Sequence, residues 1–397
     1  MTFPLYPKTE QQQYLLTLAG ELAETFAKRA HENDWAGIFP LQNYDDLRDA
    51  GYLKLSVPKE YGGLGASLID VVLAQYRLAQ GDASTALAAS MHIANIAKMA
   101  ENAGDEYNEF FANICRAVVE DGAMLNAALS EPATGSPSRG GLPTTVARRQ
   151  EDGSWIIDGR KTFTTGSHAL SFFLTSCAIE DETNLEPIEA ERGQFLIPRT
   201  AEGLRIEDTW NTVGMRGSGS NDVILEHIRV PAEAYMEREL PANPGAKLRL
   251  SAWSFPTVAV YLGIAQAARN EAVNFARRRR PNSIKQQSIA AIPHVQEKIA
   301  KMELALLQCN AVFFGIAEQF SQDPESVPAS QFAAAKYLVT NHAVEIVDLA
   351  MRLVGGASLS LNFPLQRYYR DVRAGLHHPP MDDVTLSSLA KDALEQE

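Results

Sequence analysis

Cysteine is scarce: Cys115, Cys177 and Cys309 are the only three in 397 residues. So few scattered thiols make neither a disulfide framework nor a cysteine-rich metal site, and no metal centre is expected. The pattern fits a reducing, cytoplasmic setting. Positive charge is in deficit too, with 36 Lys and Arg against 49 Asp and Glu and a formal net charge of −13. Phosphate-backbone binding relies on clustered basic side chains, so this balance argues against nucleic acid as the main partner. Long hydrophobic runs are missing: no apolar stretch approaches the roughly 20 residues of a membrane helix, and no membrane partner is expected. The N-terminal MTFPLYPKTEQQQYLL shows no basic segment ahead of an apolar one, so a secretory signal is not expected. What is present is ordinary globular composition, with 45% hydrophobic and 21% charged residues, which speaks against wholesale disorder. At about 100–200 residues per domain, the length suggests two to three domains or one large composite unit.

Three zones differ in texture. From about Gln11 to Val119 apolar residues recur near the helical period, as in Leu68, Ile69, Val72 and Tyr76, then Leu87, Met91, Ala94 and Met99. The stretch Val57-Pro-Lys-Glu-Tyr-Gly-Gly-Leu-Gly65 interrupts them as a loop. From about Met124 to Pro231 the pattern is that of strands. Thr144–Arg149, Trp155–Ile157 and Lys161–Thr165 are separated by Asp152-Gly153 and Asp158-Gly159, each a hairpin signal. Phe172–Ile179, Gln194–Pro198 and Asp222–Val230 continue the theme, and the acidic run between Glu180 and Arg192 reads as a solvated loop. Long helical patterns return over Phe255–Arg280, Ile289–Phe320 and Gln331–Val354. The expected class is α+β in three domains: residues 1–122 helical, 123–236 β, and 237–397 helical.

Four local motifs in this order carry a resemblance. They are Val57–Gly65, Leu129-Ser-Glu-Pro-Ala-Thr-Gly-Ser136, Gly159-Arg-Lys-Thr-Phe-Thr-Thr-Gly166, and Gly355-Gly356 followed by Pro364-Leu-Gln-Arg-Tyr-Tyr-Arg-Asp371. Together they resemble the acyl-CoA dehydrogenase superfamily of flavoproteins over roughly Asp45 to Lys391. The resemblance implies an N-terminal all-α domain, a β-barrel-like middle domain and a C-terminal four-helix bundle. It also implies a homotetramer, and FAD bound between the middle domain, the bundle and a neighbouring subunit.

Each candidate residue has a plainer reading beside the functional one. Ser130 is a turn hydroxyl or, with the Leu129–Ser130 backbone, a partner for the polar edge of a flavin. Ser136 is a loop serine or a contact to flavin phosphate or a substrate thioester. Phe163 and Thr165 are a core aromatic and a surface threonine, or an aromatic plate and a hydroxyl for a flat ring. Strand alternation is expected to put the two on one face. Arg277–Arg280 complement a helix C-terminus, and the resemblance aligns Arg279 with the arginine that reaches a neighbour's FAD pyrophosphate. The family's Arg-x-x-Phe-Gly continuation is replaced here by Arg280-Pro-Asn282. Gly355-Gly356 is a helix C-cap or a point of close approach to the cofactor of an adjoining subunit.

The family supplies a glutamate base, either after the Arg-Asp motif or on the first bundle helix. Here the chain reads Val372-Arg-Ala-Gly-Leu-His-His-Pro-Pro-Met-Asp-Asp383 at the first place and Trp253-Ser254 at the second. His378, the eighth residue after Arg370, stands near the vacant position, and imidazole exchanges protons near neutrality. His92, otherwise a satisfied core histidine, is expected to face the same cavity. The pair resembles histidines of flavin-dependent monooxygenases on this fold, such as dibenzothiophene monooxygenase. Two chemistries remain open. One is α,β-oxidation of an acyl-CoA-like substrate, with an electron-transfer flavoprotein as partner and His378, Asp382 or Asp383 for the glutamate. The other is monooxygenation with FMN as a reduced co-substrate from a flavin reductase. A non-catalytic flavin or acyl-CoA binder is the third.

Overall fold

The computed structural model describes residues 6–102, 108–134, 142–180, 192–236 and 252–395. In the N-terminal part, local chemistry starts and stops the helices. The Thr9 hydroxyl accepts the Gln12 amide and opens α1 (Glu10–Ala36), which Gly37 ends at φ 66°. After α2 (Leu41–Asp49), Ser67 and Asp70 form a reciprocal capping box at the head of α3 (Leu68–Ala79). Then come α4 (Ala83–Asn102) and α5 (Asn108–Glu120). Leu68, Ile69, Val72, Leu87 and Ala94 are buried, as their spacing predicts.

The middle part is one eight-stranded sheet. Its strands are β1 (Leu125–Ala128), β2 (Val146–Arg149), β3 (Trp155–Thr164), β4 (Phe172–Glu180), β5 (Arg192–Pro198), β6 (Leu204–Glu207), β7 (Asn221–Val230) and β8 (Tyr235–Met236). The order is β6-β7-β3-β2-β4-β5-β8, with β1 pairing in parallel with β4. Asp152-Gly153 closes the β2–β3 hairpin, Arg149 facing Trp155. Asp158-Gly159 departs from expectation and makes no hairpin: β3 runs straight through it, with a bulge against β7 between Ile157 and Gly159. The Asp158 carboxylate accepts the His227 amide, and a Cβ on Gly159 would lie 2.4 Å from the Thr145 hydroxyl. A tight crossing, not a turn, requires this glycine. The acidic stretch 181–191 lies outside the described residues.

The C-terminal bundle is built from α6 (Phe255–Arg278), α7 (Pro293–Gln322), α8 (Ala329–Val354), α9 (Leu365–Asp371) and α10 (Asp382–Glu395). The predicted helix over Ile289–Phe320 begins later, because Ile289–Ala291 forms a 3-10 turn and Pro293 suits a helix's first turn. Contrary to the expectation of no long apolar run, α7 is long and apolar enough to cross a membrane by length and composition. It packs on α3, α6 and α8, while Leu304, Leu307 and Val312 on its outer side stay exposed.

One continuous core joins α1, α3, α4, the sheet and the bundle. Polar anchors cross the same junctions. Arg370 grips the Asp34 carboxylate through both terminal nitrogens, at 3.0 and 2.5 Å, and donates to the Val213 carbonyl at 2.8 Å. Asp371, buried, accepts the Met215 amide at 2.6 Å. The Arg-Asp motif thus ties bundle, first helix and sheet domain together. Arg370→Ala removes one partner of a mostly buried pair, a loss of about 3–5 kcal/mol at full burial. With Arg370 still 23% exposed, the expected cost in denaturant unfolding is about 2–3 kcal/mol.

Candidate active site

The site is built at the downstream end of β3. Pairing with β7 holds as far as Lys161 opposite Val223 and resumes, shifted, at Thr164 opposite Asn221. The shift falls on Phe163, which takes a left-handed backbone (φ 54°) and stands 66% exposed. Thr165, just past the strand, is buried, with its hydroxyl against that of Ser220. The simple alternation expected to put these two side chains on one face does not hold, because the register shift between Lys161 and Thr164 falls on Phe163 itself. Phe163 meets Trp210 edge-on, with ring centroids 5.9 Å apart.

Ser130 joins this strand end. Its carbonyl accepts the Thr162 amide at 2.8 Å, and Leu129 and Ser130 are half-buried beside β3. The Thr165 carbonyl accepts the Asn126 amide group at 2.9 Å, and its hydroxyl lies 2.9 Å from the Ser220 hydroxyl. Under this platform the Lys161 ammonium meets the Glu131 carboxylate at 2.5 Å, both solvent-free. Burial pushes the Glu131 carboxyl up, but Lys161, Thr144 and Thr145 outweigh it and hold it down at about 2. Ser136 lies outside the described residues.

The histidines have different surroundings. His92 is buried, with Nε2 2.9 Å from the Leu53 carbonyl and Nδ1 accepting the Leu125 amide at 3.1 Å. Both ring nitrogens are spent on backbone groups, which corrects the expectation of a catalytic His92: this is a structural histidine, and burial pushes its pKa down to about 4. His378 is half-buried, its ring 5.7 Å from that of Tyr261. A Cβ at Gly375 would come 2.9 Å from the Tyr261 ring, so this glycine lets the segment lie against it. Burial, the Lys336 ammonium and His377 push the His378 pKa down to about 4, below the near-neutral titration expected of an imidazole, so that the ring is neutral at neutral pH. The Asp382 carboxylate is held by Lys336 Nζ at 3.3 Å and Asn341 Nδ2 at 3.0 Å.

The remaining candidates lie on the surface. Arg279 caps α6, exposed, in no ion pair among the described residues. Gly355 ends α8 at φ 71°, and a Cβ on it or on Gly356 would meet nothing within 4 Å. Within one chain only their capping role is realised. Surface clefts of 290 and 320 Å³ lie along α1 and share no residue with the β3 platform. Reasoning from sequence missed Glu131–Lys161, Ser218, Ser220, Trp210 and Lys336. A lysine in the apolar run Phe332-Ala-Ala-Ala-Lys336 was the one legible signal.

The chain matches family models described as acyl-CoA dehydrogenase N-terminal, middle and C-terminal domains over residues 8–109, 126–228 and 250–377. It is 43% identical to putative acyl-CoA dehydrogenase YdbM of Bacillus subtilis, covering 98% of this chain and 99% of that one. It is 30% identical to the amino sugar nitrososynthase DnmZ of Streptomyces peucetius, over 94% and 91% of the two. Among solved structures, KijD3 in complex with FMN and a dTDP-amino sugar superposes with a TM-score of 0.86 at 28% identity, over 99% and 96% of the chains.

His92→Ala strands two buried backbone groups, at about 1–3 kcal/mol each, and lowers stability accordingly. Its folded pKa, about 4, lies below the ordinary 6.5. The histidine's contribution is therefore present above pH 6.5 and fades as pH falls through about 4. Unfolding free energies of wild type and variant should converge over that window.

Proposed function

The chain belongs to the acyl-CoA dehydrogenase family, and from that premise we propose a flavin-dependent oxidoreductase whose flavin lies against Phe163, Thr165 and Ser130. The observation that carries this reading is Phe163. A left-handed non-glycine backbone costs about 1–3 kcal/mol, and here it presents to the outside an aromatic ring that is two-thirds exposed beside Trp210. A flat conjugated ring stacked on that face gives the exposed surface a partner. The half-buried Leu129–Ser130 backbone and the Thr165 hydroxyl offer polar groups for its rim. FAD is the first choice, and FMN, which KijD3 holds, the alternative. Arg279 and Gly355-Gly356 lie open at the surface, where a second copy's cofactor can reach them. The exposed Leu304, Leu307 and Val312 of α7 supply an apolar face for a homotetramer.

A bound flavin supplies the acceptor for the hydride leaving the β-carbon of an acyl thioester. His378, neutral at physiological pH, takes the α-proton in place of the family's glutamate. An electron-transfer flavoprotein would be the partner that reoxidises the cofactor. A second reading, oxygen-dependent monooxygenation with flavin reduced by a partner reductase, is favoured by the engagement of Asp382 with Lys336 and Asn341. The likeness to DnmZ also supports it. In that case His378 would serve as a hydrogen-bonding group beside the flavin, with Tyr261 backing its ring.

Purified protein mixed anaerobically with acyl-CoA thioesters separates the two. Bleaching of the flavin supports the dehydrogenase; product formed only with a flavin reductase and oxygen supports the monooxygenase; neither leaves a binding protein. His378→Ala should lower turnover by about 10²–10⁴-fold while flavin stays bound. Phe163→Ala should weaken flavin binding by about tenfold. Flavin affinity unchanged by Phe163→Ala, measured by fluorescence titration, overturns the placement.

A further inference from the structure

Three buried hydroxyls are linked one to the next behind the platform. Thr165 Oγ1 lies 2.9 Å from Ser220 Oγ, which lies 2.9 Å from Ser218 Oγ, and in both contacts either oxygen can be the donor. All three residues are at most 5% exposed. The surrounding backbone holds the row rigidly. The Gly166 and Ser167 amides donate to the Ser218 and Gly219 carbonyls at 2.8 and 3.2 Å, and the Ser167 hydroxyl donates to the Gly219 carbonyl at 2.8 Å. Asn126 fixes the Thr165 carbonyl from the other side. The heavy atoms are thus set, and only the O–H rotors remain free.

We propose that Ser218 and Ser220 are positioning residues that let the Thr165 hydroxyl reverse its hydrogen-bond polarity toward the flavin; this rests on the flavin placement above. A hydroxyl carries one donor and two acceptor sites. In one sense of the row Ser218 donates to Ser220 and Ser220 to Thr165, so the Thr165 proton points outward to an acceptor. In the other sense Thr165 donates to Ser220 and Ser220 to Ser218, so Thr165 offers an outward lone pair. An oxidised flavin presents an unprotonated N5 that accepts, and a reduced flavin presents an N5–H that donates. The row serves both by rotating three O–H bonds, with no heavy atom moving. Hydrogen bonds near the ring nitrogens are among the means by which a protein tunes its cofactor, and each link in such a row strengthens the next.

Ser220→Ala takes away the acceptor that Thr165 needs when it faces N5–H, so reduced flavin alone is penalised. The experiment compares dissociation constants of oxidised and dithionite-reduced FAD, with FMN in parallel. The expected result is an about tenfold loss of affinity for the reduced form with the oxidised form little changed. For a two-electron couple this equals a potential about 30 mV lower. Ser220→Thr, which keeps the hydroxyl, should restore the ratio. Ser218→Ala, one link further out, should shift it the same way by about threefold, and this variant decides the matter if Ser220→Ala does not fold. Equal losses for both redox forms, or no change in their ratio, overturn the relay. Thr165→Val separates the two ideas. If Thr165→Val changes neither affinity, the flavin placement itself fails; if Thr165→Val shifts the ratio and both serine variants leave it unchanged, only the relay fails.

Discussion

A lysine ammonium and a glutamate carboxylate, neither touching solvent, meet at 2.5 Å between the chain leaving β1 and the middle of β3. Removing one member of such a pair is expensive, because the other is left as an uncompensated buried charge. Here further hydrogen bonds support both partners. Glu131 accepts from the Thr144 amide and hydroxyl and the Thr145 amide, and Lys161 donates to the Ser176 carbonyl. Four segments of the middle domain therefore converge on one charge pair. Leu129 and Ser130 lie just before Glu131, and Phe163 and Thr165 follow two and four residues after Lys161. The orientation of the platform depends on this pair.

A second set of charges places the platform relative to the bundle. Arg370 reaches Asp34 and Val213, and the adjacent Asp371 takes the Met215 amide. Seven residues beyond Asp371 the same chain presents His378 against Tyr261. The motif that secures the domain junction thereby also delivers the candidate proton acceptor. Lys336 does a related double duty, since it holds Asp382 at the start of α10 and bears on His378.

The helical, β, helical order was legible because each zone repeats its own hydrophobic period over many residues, and errors there average out. Asp152-Gly153 closed a hairpin as its composition suggests, while Asp158-Gly159 did not. The dipeptide is the same; the difference is the close approach of Thr145 to Gly159, a contact 14 residues away that no local pattern encodes. Phe163 and Thr165 were recognisable as residue types suited to a flat ring, yet alternation misplaced them because a bulge resets the faces.

What the amino-acid order settled was the class of fold and the family, since these rest on residue identity and long repeating patterns. Tertiary structure alone distinguished the two histidines. His92 and His378 are chemically the same side chain, but one spends both nitrogens on the Leu53 and Leu125 backbone and the other lies half-open against Tyr261. It alone showed Asp382 bound to Lys336, Phe163 exposed, and three hydroxyls linked from Ser218 to Thr165. Each depends on which groups distant in sequence come within about 3–6 Å of one another, and hydrogen bonding, ring contact and desolvation act at that range.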